Sequence, residues 1–447
     1  MTKLFGHSVR SQMLALYLVE TVVCFLTVYA LLRFGMAEAM PAVTSAKGVA
    51  FLALLALSVG MVASAAGLYQ PEAWRRLGRF LVGCTIAASL LFLLAQVVLY
   101  LLDPTLEGIE RWNALAVVLA GLVSAMMATH VAFAAAVRGG LWRHRLAVLR
   151  GPEGPMEFER RVEDGFEVAL AGTLAAVEDE AFSAEALRAR RIWAVIVPDV
   201  ALVPPARRAA WAAAGIRLYG AADFAEQRTN RLDLARLPPD WLAERAPGRG
   251  RTLEEAIRRG IDIAGSLALL VLTLPLSLLT ALAIKLDSPG PVFYRQARVG
   301  KDGRVFTLYK FRSMRADAEA AGGPRWAAKG DRRVTRVGRF IRLTRIDEIP
   351  QALNVLAGDM SLVGPRPERP EFVAELAAVI PHYNDRTRVR PGITGWAQVN
   401  YPYGASVEDA RMKLSYDLYY VKHRSLFLDL LILIATVRVV LFQEGSR

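Results

Sequence analysis

The sequence is poor in cysteine, with only two among 447 residues, Cys24 and Cys84. Both fall inside apolar runs, where cysteine behaves as a small buried hydrophobe. We therefore expect neither a disulfide framework nor a zinc site. A cleavable export signal is not expected either, because the first apolar run is long and no small-residue cleavage site follows it.

Acidic residues are too few to balance the basic ones: 55 Lys and Arg face 42 Asp and Glu, a formal net charge of +13. Nucleic-acid binding would need a recognisable binding motif, which the sequence lacks. A basic surface that meets anionic lipid head groups and phosphorylated substrates explains the charge better. We expect membrane lipids as partners and no nucleic acid.

Long hydrophobic runs are abundant, and 54% of the residues are hydrophobic. Four runs are long enough to span a bilayer as helices: Met13–Leu32, Val49–Tyr69, Phe80–Leu102 and Trp112–Val137. Basic residues precede the first run, separate the second from the third and follow the fourth, whereas the other two loops are neutral or acidic. The positive-inside rule then places the N-terminus and everything after Val137 on the cytoplasmic side.

Two ionisable residues, Glu20 and His130, lie within these runs. An ionisable group inside a membrane is a functional candidate by default, although packing is the more expected role of each.

A fifth run, Ile263–Ile284, has basic residues on both sides. If it crossed the bilayer, one basic cluster would lie outside, against the charge rule. Pro275 in the middle of the run removes a backbone hydrogen bond and kinks a helix. These features favour a re-entrant helix over an ordinary fifth span.

The segment between the fourth and fifth runs alternates short apolar runs with helical stretches, which indicates a small α/β domain with a parallel sheet. The loop Gly151–Pro155 follows the first apolar run but lacks the glycine spacing of a dinucleotide site. We interpret this domain as a degenerate nucleotide fold that serves packing or regulation. The predicted domains are residues 1–140, 141–249 and 250–447, with Ala246–Arg251 as a linker.

Two adjacent carboxylates, Asp347 and Glu348, lie in a stretch crowded with arginine. Arginines bind phosphate oxygens bidentately, and a carboxylate can act as nucleophile or metal ligand. Helical periodicity on both sides and Pro350 place the pair where one helix ends and another starts. Prolines on each side of Arg366 restrict its backbone and favour a pre-positioned guanidinium.

Residues from about Ile261 to Phe442 closely resemble the catalytic domain of bacterial monotopic polyprenyl-phosphate sugar-1-phosphate transferases. The matching motifs are Lys310-Phe311-Arg312-Ser313-Met314, Asp347-Glu348 with Pro350-Gln351, Asn354-Val355-Leu356, Gly358-Asp359-Met360-Ser361, Gly364-Pro365-Arg366-Pro367, Arg390-Pro391-Gly392-Ile393-Thr394-Gly395-Trp396 and Tyr416-Asp417. Four spans followed by a degenerate nucleotide fold resemble the large members of this family. The segment Asn400–Ser406 is similar to the subgroup associated with exopolysaccharide and exosortase gene clusters.

The resemblance implies a fold and a mechanism. The fold is an N-terminal four-helix transmembrane bundle, a Rossmann-like α/β domain and an α/β catalytic domain with a re-entrant helix, in the bacterial inner membrane. Asp347 would attack the β-phosphorus of a UDP-sugar, with glucose or galactose expected, and expel UMP. Undecaprenyl phosphate would then collect the sugar phosphate. Glu348 would hold Mg²⁺.

The resemblance also implies substrate-binding residues: Lys310, Arg312, Arg342, Arg366 and Arg390. Apart from the resemblance, the middle domain has no evident ligand site and could mediate a homodimer. The alternative function is a non-catalytic membrane scaffold of a polysaccharide assembly complex. A third reading, a nucleic-acid- or lipid-responsive regulator, has no motif to support it.

Overall fold

The computed structural model describes residues 2–4, 7–9, 11–36, 41–69, 77–105, 107–141, 143–152, 166–237, 241–242, 249–315, 331, 333–402, 404 and 406–442. The loop from residue 153 onward, the first half of the predicted linker and the basic loop at Arg75 and Arg76 lie outside these residues. The chain divides into two compact units, Ser8–Asp233 with Met1–Leu4 and Leu234–Arg447 with Phe5–His7. The boundaries of the three predicted domains stay predictions.

The first unit begins with two short strands, β1 (Thr2–Leu4) and β2 (His7–Val9), and four long helices. The helices are α1 (Ser11–Gly35), α2 (Ala46–Ala65), α3 (Leu77–Leu102) and α4 (Gly108–Arg138). All four are long and apolar enough to cross a membrane. They share one buried core, while many leucines and valines on their outer faces are exposed, as lipid-facing residues are. This confirms the prediction of four spans.

The structure brings the two ionisable residues of the spans together. Glu20 and His130 are fully buried, and His130 Nδ1 lies 3.2 Å from Glu20 Oε1. The Tyr69 hydroxyl donates to Glu20 Oε2, and the Tyr69 ring stacks on the His130 ring. A polar cluster therefore connects α1, α4 and the chain just after α2.

The rest of the first unit is a four-stranded, all-parallel sheet in the order β4-β3-β5-β6. Its elements are β3 (His144–Arg150), β4 (Phe166–Thr173), α5 (Ala184–Ala189), β5 (Ile192–Val197), α6 (Pro205–Ala213), β6 (Arg217–Gly220) and α7 (Ala221–Thr229). Alternate residues of β3 and β5 enter separate apolar cores on the two faces, as expected of a parallel sheet covered on both sides. The predicted α/β fold with a parallel sheet is confirmed.

The second unit begins with α8 (Arg249–Leu272) and α9 (Leu274–Asp287), which are bent by 61° at Thr273. Pro275 is at the first turn of α9, where a proline is tolerated because its missing N–H would have no helical partner. Leu272 and Leu286 are 80% and 79% exposed. Such a bent, apolar pair suits either a broken span or a re-entrant loop, and the re-entrant interpretation stays a prediction.

The remaining elements of the second unit form the predicted catalytic region. They are β7 (Phe293–Val299), β8 (Val305–Phe311), α10 (Arg336–Leu343), α11 (Gln351–Ala357), β9 (Ser361–Val363), α12 (Pro370–Val379), β10 (Gly392–Thr394), α13 (Trp396–Asn400), α14 (Val407–His423) and α15 (Leu426–Leu441). Strands β7 and β8 form an antiparallel hairpin, and β9 pairs with β10 in parallel.

Side chains of α11 and α15 tie these short elements together. Asn354 of α11 is fully buried; its amide donates to Thr307 O at 2.7 Å and accepts from Tyr309 N at 3.0 Å, so it completes the edge of β8. Asp429, which interrupts the apolar pattern of α15, accepts from Arg258 at 2.6 Å and from Tyr420 at 2.8 Å.

Candidate active site

The carboxylate pair lies in a single 3-10 turn, Ile346–Glu348, between α10 and α11. The predicted helix break is therefore correct. Arg345, directly before the turn, has φ +60°, in the left-handed region that non-glycine residues rarely adopt. Such a conformation costs about 1 kcal/mol or more and persists at functional sites when the surroundings hold it.

The close approach of α10 to the residues just after β8 fixes the position of the turn that carries the carboxylates. A Cβ on Gly338 would lie 1.9 Å from Ser313 O, so only glycine fits there. Thr335 caps α10 by accepting from Gly338 N at 2.9 Å, and Thr335 N donates to Ser313 O. The strand and the helix that flank the site are thus joined through backbone contacts.

Glu348 is surrounded by cations. Its Oε1 accepts from Arg366 at 2.7 Å and from Lys310 at 3.0 Å, and Arg345 Nη1 lies 3.8 Å away. Burial alone would raise the pKa of this carboxyl, but Arg366, Lys310 and Arg345 hold it well below its usual range. Glu348 is therefore ionised and weakly basic.

Asp347 has the opposite character, although it is buried to a similar degree. Its Oδ1 is buried and has no hydrogen-bond partner among the described residues. Burial raises the pKa of Asp347 above its ordinary range, against the opposing effect of Lys310, Arg366 and Arg342. The turn therefore presents one carboxylate that is satisfied and one that is not.

The motif containing Lys310 and Arg312 places these two cations differently. Lys310 is the penultimate residue of β8 and reaches Glu348, and burial lowers its pKa although the Glu348 carboxylate opposes this. Arg312 instead donates to Ser288 O at 2.6 Å and to Pro289 O at 2.9 Å, just beyond the end of α9. Its predicted substrate contact stays a prediction, and its observed contacts anchor the bent helix to the hairpin.

The loop carrying Arg366 is held from two sides. Arg386 donates to Arg366 O at 2.8 Å, and Arg298 donates to Pro367 O at 2.9 Å. Asp417 in turn accepts from Arg386 Nη2 at 2.7 Å and from Nε at 3.1 Å. These contacts, besides the flanking prolines, fix the backbone from which the Arg366 guanidinium reaches Glu348.

These side chains open into one cavity of about 620 Å³. Its cationic wall contains Arg298, Lys310, Arg312, Arg315, Arg333, Arg342, Arg345, Arg366, Arg369, Arg386 and Lys413, and its acidic groups are Asp347, Glu348, Glu368 and Asp417. The cations outnumber the carboxylates, so the cavity suits a ligand with several negative charges. A volume of this size accommodates a nucleotide-sized ligand.

Sequence reasoning chose Arg390 from the run of arginines before Pro391, but Arg390 is not among the residues that line this cavity. Arg386 of the same run lines it. The signal that could have selected Arg386 is the Tyr416-Asp417 motif, since a buried carboxylate needs a buried cation. The substrate contact of Arg390 stays a prediction.

The donor set restricts how a metal ion could be held. Among the described residues, no group of three His, Cys, Asp or Glu side chains is arranged to hold one, so a closed protein cage does not fit. Mg²⁺ is commonly held by one or two carboxylates together with substrate phosphates and water. The pair fits that mode, because Asp347 Oδ1 has no partner among the described residues and the cations lie on one oxygen of Glu348.

Comparisons with known proteins identify a family model and several relatives that match this chain. Residues 253–443 match the family model described as bacterial sugar transferase. A UDP-N-acetylgalactosamine-undecaprenyl-phosphate N-acetylgalactosaminephosphotransferase of Aeromonas hydrophila is 47% identical over 53% of this chain and 55% of its own length. An undecaprenyl-phosphate glucose phosphotransferase of Komagataeibacter xylinus is 44% identical over 42% of this chain and 36% of its own length.

These alignments cover only about half of the first relative and about a third of the second. By contrast, an exopolysaccharide production protein of Rhizobium leguminosarum bv. phaseoli is 42% identical over 41% of this chain and 95% of its own length. This chain therefore covers nearly the whole length of that relative. The chain belongs to the bacterial sugar transferase family.

Proposed function

We propose that this protein transfers a sugar-1-phosphate from a UDP-sugar to undecaprenyl phosphate, through a phospho-sugar bonded to Asp347. The observation that carries the proposal is the contrast within the pair: Asp347 is buried with an unpartnered oxygen among the described residues, while one oxygen of Glu348 has three cations around it. The names of the relatives from Aeromonas and Komagataeibacter contain undecaprenyl-phosphate phosphotransferase activities.

Asp347 is the better nucleophile for a physical reason. Burial raises its pKa, and the nucleophilicity of a carboxylate increases with its basicity. Glu348 is stabilised as an anion by three cations, so its lone pairs are less available. The cations on Glu348 also keep it from repelling a phosphate, because its charge is already compensated.

In the first step, a carboxylate oxygen of Asp347 bonds to the β-phosphorus of the UDP-sugar. The bond from this phosphorus to the bridging oxygen breaks, and UMP leaves with that electron pair. In the second step, a phosphate oxygen of the lipid bonds to the same phosphorus, and the Asp347 carboxylate is released. The two-step course predicts ping-pong kinetics.

The cations of the cavity have a role in both steps. Arg342, at the end of α10, and Arg366 would bind phosphate oxygens, and Lys310 would compensate the charge that builds up between the donor and Glu348. Preorganised cations in a water-poor site stabilise developing charge more than they would in water. Because Arg386 and Arg298 hold the Arg366 loop, this guanidinium needs little reorganisation.

We include Mg²⁺ in the proposal, held by Glu348 with the donor diphosphate; when bound, it would neutralise diphosphate charge. Removal by a chelator is expected to abolish UMP release, and added Mg²⁺ should restore it. Activity that persists in excess chelator would remove the metal from the scheme.

The acceptor phosphate is carried on a long isoprenoid, so the site must lie at a membrane surface. The exposed leucines of α8 and α9 support a re-entrant pair that keeps the carboxylates at the cytoplasmic face of the inner membrane. The name of the Rhizobium relative supports a place in exopolysaccharide production. The donor sugar is proposed to be glucose or galactose, with N-acetylgalactosamine added to the test because of the Aeromonas relative.

The test is UMP release from UDP-glucose, UDP-galactose and UDP-N-acetylgalactosamine by the purified full-length protein, with and without undecaprenyl phosphate. Asp347→Asn should abolish release and prevent labelling of the protein by a donor with a radioactive β-phosphate. The matched control is Asp302→Asn, since Asp302 is an exposed carboxylate in the turn of the hairpin that carries Lys310. Absence of release with every donor would favour the scaffold function instead.

A further inference from the structure

One side of the cavity is apolar. Pro291, Phe293, Phe311 and Met314 line it together with the carboxylate pair. Phe293 and Phe311 are directly opposite in the β7–β8 hairpin, and their rings stack with centroids 5.4 Å apart. Phe311 is buried, but Phe293 is 46% exposed, so the Phe293 ring, backed by Phe311, presents an aromatic face to a ligand.

This apolar side lies next to the end of α9. Arg312 N donates to Val292 O at 2.8 Å, and the Arg312 guanidinium binds the carbonyls that follow α9. Phe311 shares a small apolar core with Ile284 of α9 and Ile341 of α10. The aromatic face therefore belongs to the same packed corner as the C-terminal end of the bent apolar helix pair.

A nucleotide-sugar is not expected to bind this apolar side of the cavity, since both ends of the nucleotide-sugar are polar. A lipid acceptor needs it, because its phosphate must reach Asp347 while its chain leaves toward apolar surroundings. Leu286 of α9, only a few residues before Phe293, is 79% exposed. Within these few residues the chain passes from a surface that suits contact with lipid to residues that line the cavity.

Resting on the proposed function, we propose that Pro291, Phe293, Phe311 and Met314 form the subsite for the first isoprene units of the acceptor lipid. The aromatic face packs on the branched hydrocarbon, and the neighbouring cations receive the phosphate. The subsite acts only in the second step, because the donor and UMP do not use it.

The experiment separates the two steps in the full-length protein in nanodiscs. The first step is measured as the burst of UMP without acceptor, and the second as transfer to undecaprenyl phosphate. Phe293→Ala should leave the burst rate and amplitude unchanged and raise the KM for undecaprenyl phosphate roughly ten- to hundredfold, since a phenylalanine side chain loses its apolar contact. With isopentenyl phosphate, which has a single isoprene unit, the difference from wild type should shrink several-fold. Phe293→Leu should bring the KM for undecaprenyl phosphate most of the way back to the wild-type value.

Val305→Ala is the matched control, because Val305 is an exposed apolar residue at the other end of the same hairpin. It should behave as wild type in both steps. An unchanged KM for undecaprenyl phosphate in Phe293→Ala would overturn the subsite while leaving the proposed function intact. A slower burst would overturn it too and assign Phe293 to the donor. A wild-type protein without any burst would instead refute the proposed function, and the subsite with it.

Discussion

The buried pair Arg386–Asp417 offers a test of how the Arg366 loop is held. Asp417→Asn keeps the shape of the side chain but removes the charge that compensates Arg386. Both side chains are almost fully buried, at 9% and 3% exposure. Breaking a buried pair by neutralising one partner costs about 3–5 kcal/mol, and for a unit of this size that corresponds to a fall in Tm of roughly 6–20 °C.

We expect Asp417→Asn to lower activity as well as stability. Arg386 also donates to Arg366 O, so a misplaced Arg386 loosens the loop from which Arg366 reaches Glu348. We expect kcat for UMP release to fall more than KM rises, because the donor still meets the other cations of the cavity. Thermal unfolding, monitored by intrinsic fluorescence, measures the loss of stability. Steady-state UMP release measures the loss of activity.

The double variant Arg386→Met with Asp417→Leu distinguishes the two roles. Replacing both members of a buried pair by apolar residues is often neutral or stabilising, so Tm should return to near the wild-type value. Activity should stay low, because no donor remains for Arg366 O. Recovery of activity in the double variant, or a Tm loss below about 2 °C in Asp417→Asn, would refute this account of the loop.

Three further predictions concern the turn that bears the carboxylates. Because burial raises the pKa of Asp347 and the nucleophile must be ionised, the burst rate should fall on acidification at a pH above the ordinary value of about 3.9; a limb at or below that value in the pH–rate profile would contradict the assignment. The low pKa of Glu348 means that its ionised carboxylate stabilises the folded protein. This stabilisation is present above the unfolded pKa of about 4.3 and is lost as the pH falls through the folded pKa. Glu348→Gln should therefore have a lower Tm than wild type at pH 7 and approach the wild-type Tm on acidification, as measured by Tm against pH. Gly338→Ala should lower Tm by several degrees, since the new Cβ would meet Ser313 O at 1.9 Å; Gly260→Ala, at an exposed helical position with no atom within 4 Å of the new Cβ, is the control and should not.

Periodicity in the sequence predicted the elements well where one interaction dominates. The predicted parallel sheet is present, and its strand Ile192–Val197 shows why, because a run rich in β-branched residues that is buried on both faces has few alternatives. The four spans were found for a similar reason, since lipid imposes length and apolarity together. The turn at Asp347 followed from the helical periodicity on both sides of the pair and from Pro350.

Long-range partners could not be predicted in the same way. Nothing local distinguishes Arg386 from Arg390, and only the fold shows that Asp417, far along the chain, is buried beside the former. Arg312 has the sequence spacing of a substrate-binding cation, yet the structure places it on the carbonyls after α9. Sequence patterns report which face of an element is buried, whereas the partner of a buried charge depends on how distant elements meet.

The polar cluster of Glu20, Tyr69 and His130 has a consequence for the assembly of the four helices in the membrane. Glu20 lies in the first of these four helices, so it is synthesised before its partners, which lie just after the second helix and within the fourth. An acidic side chain facing hydrocarbon is unfavourable, and Glu20 meets its partners only when the later helices pack against the first. The cluster therefore gives the assembled bundle a stability that the first helix alone would lack.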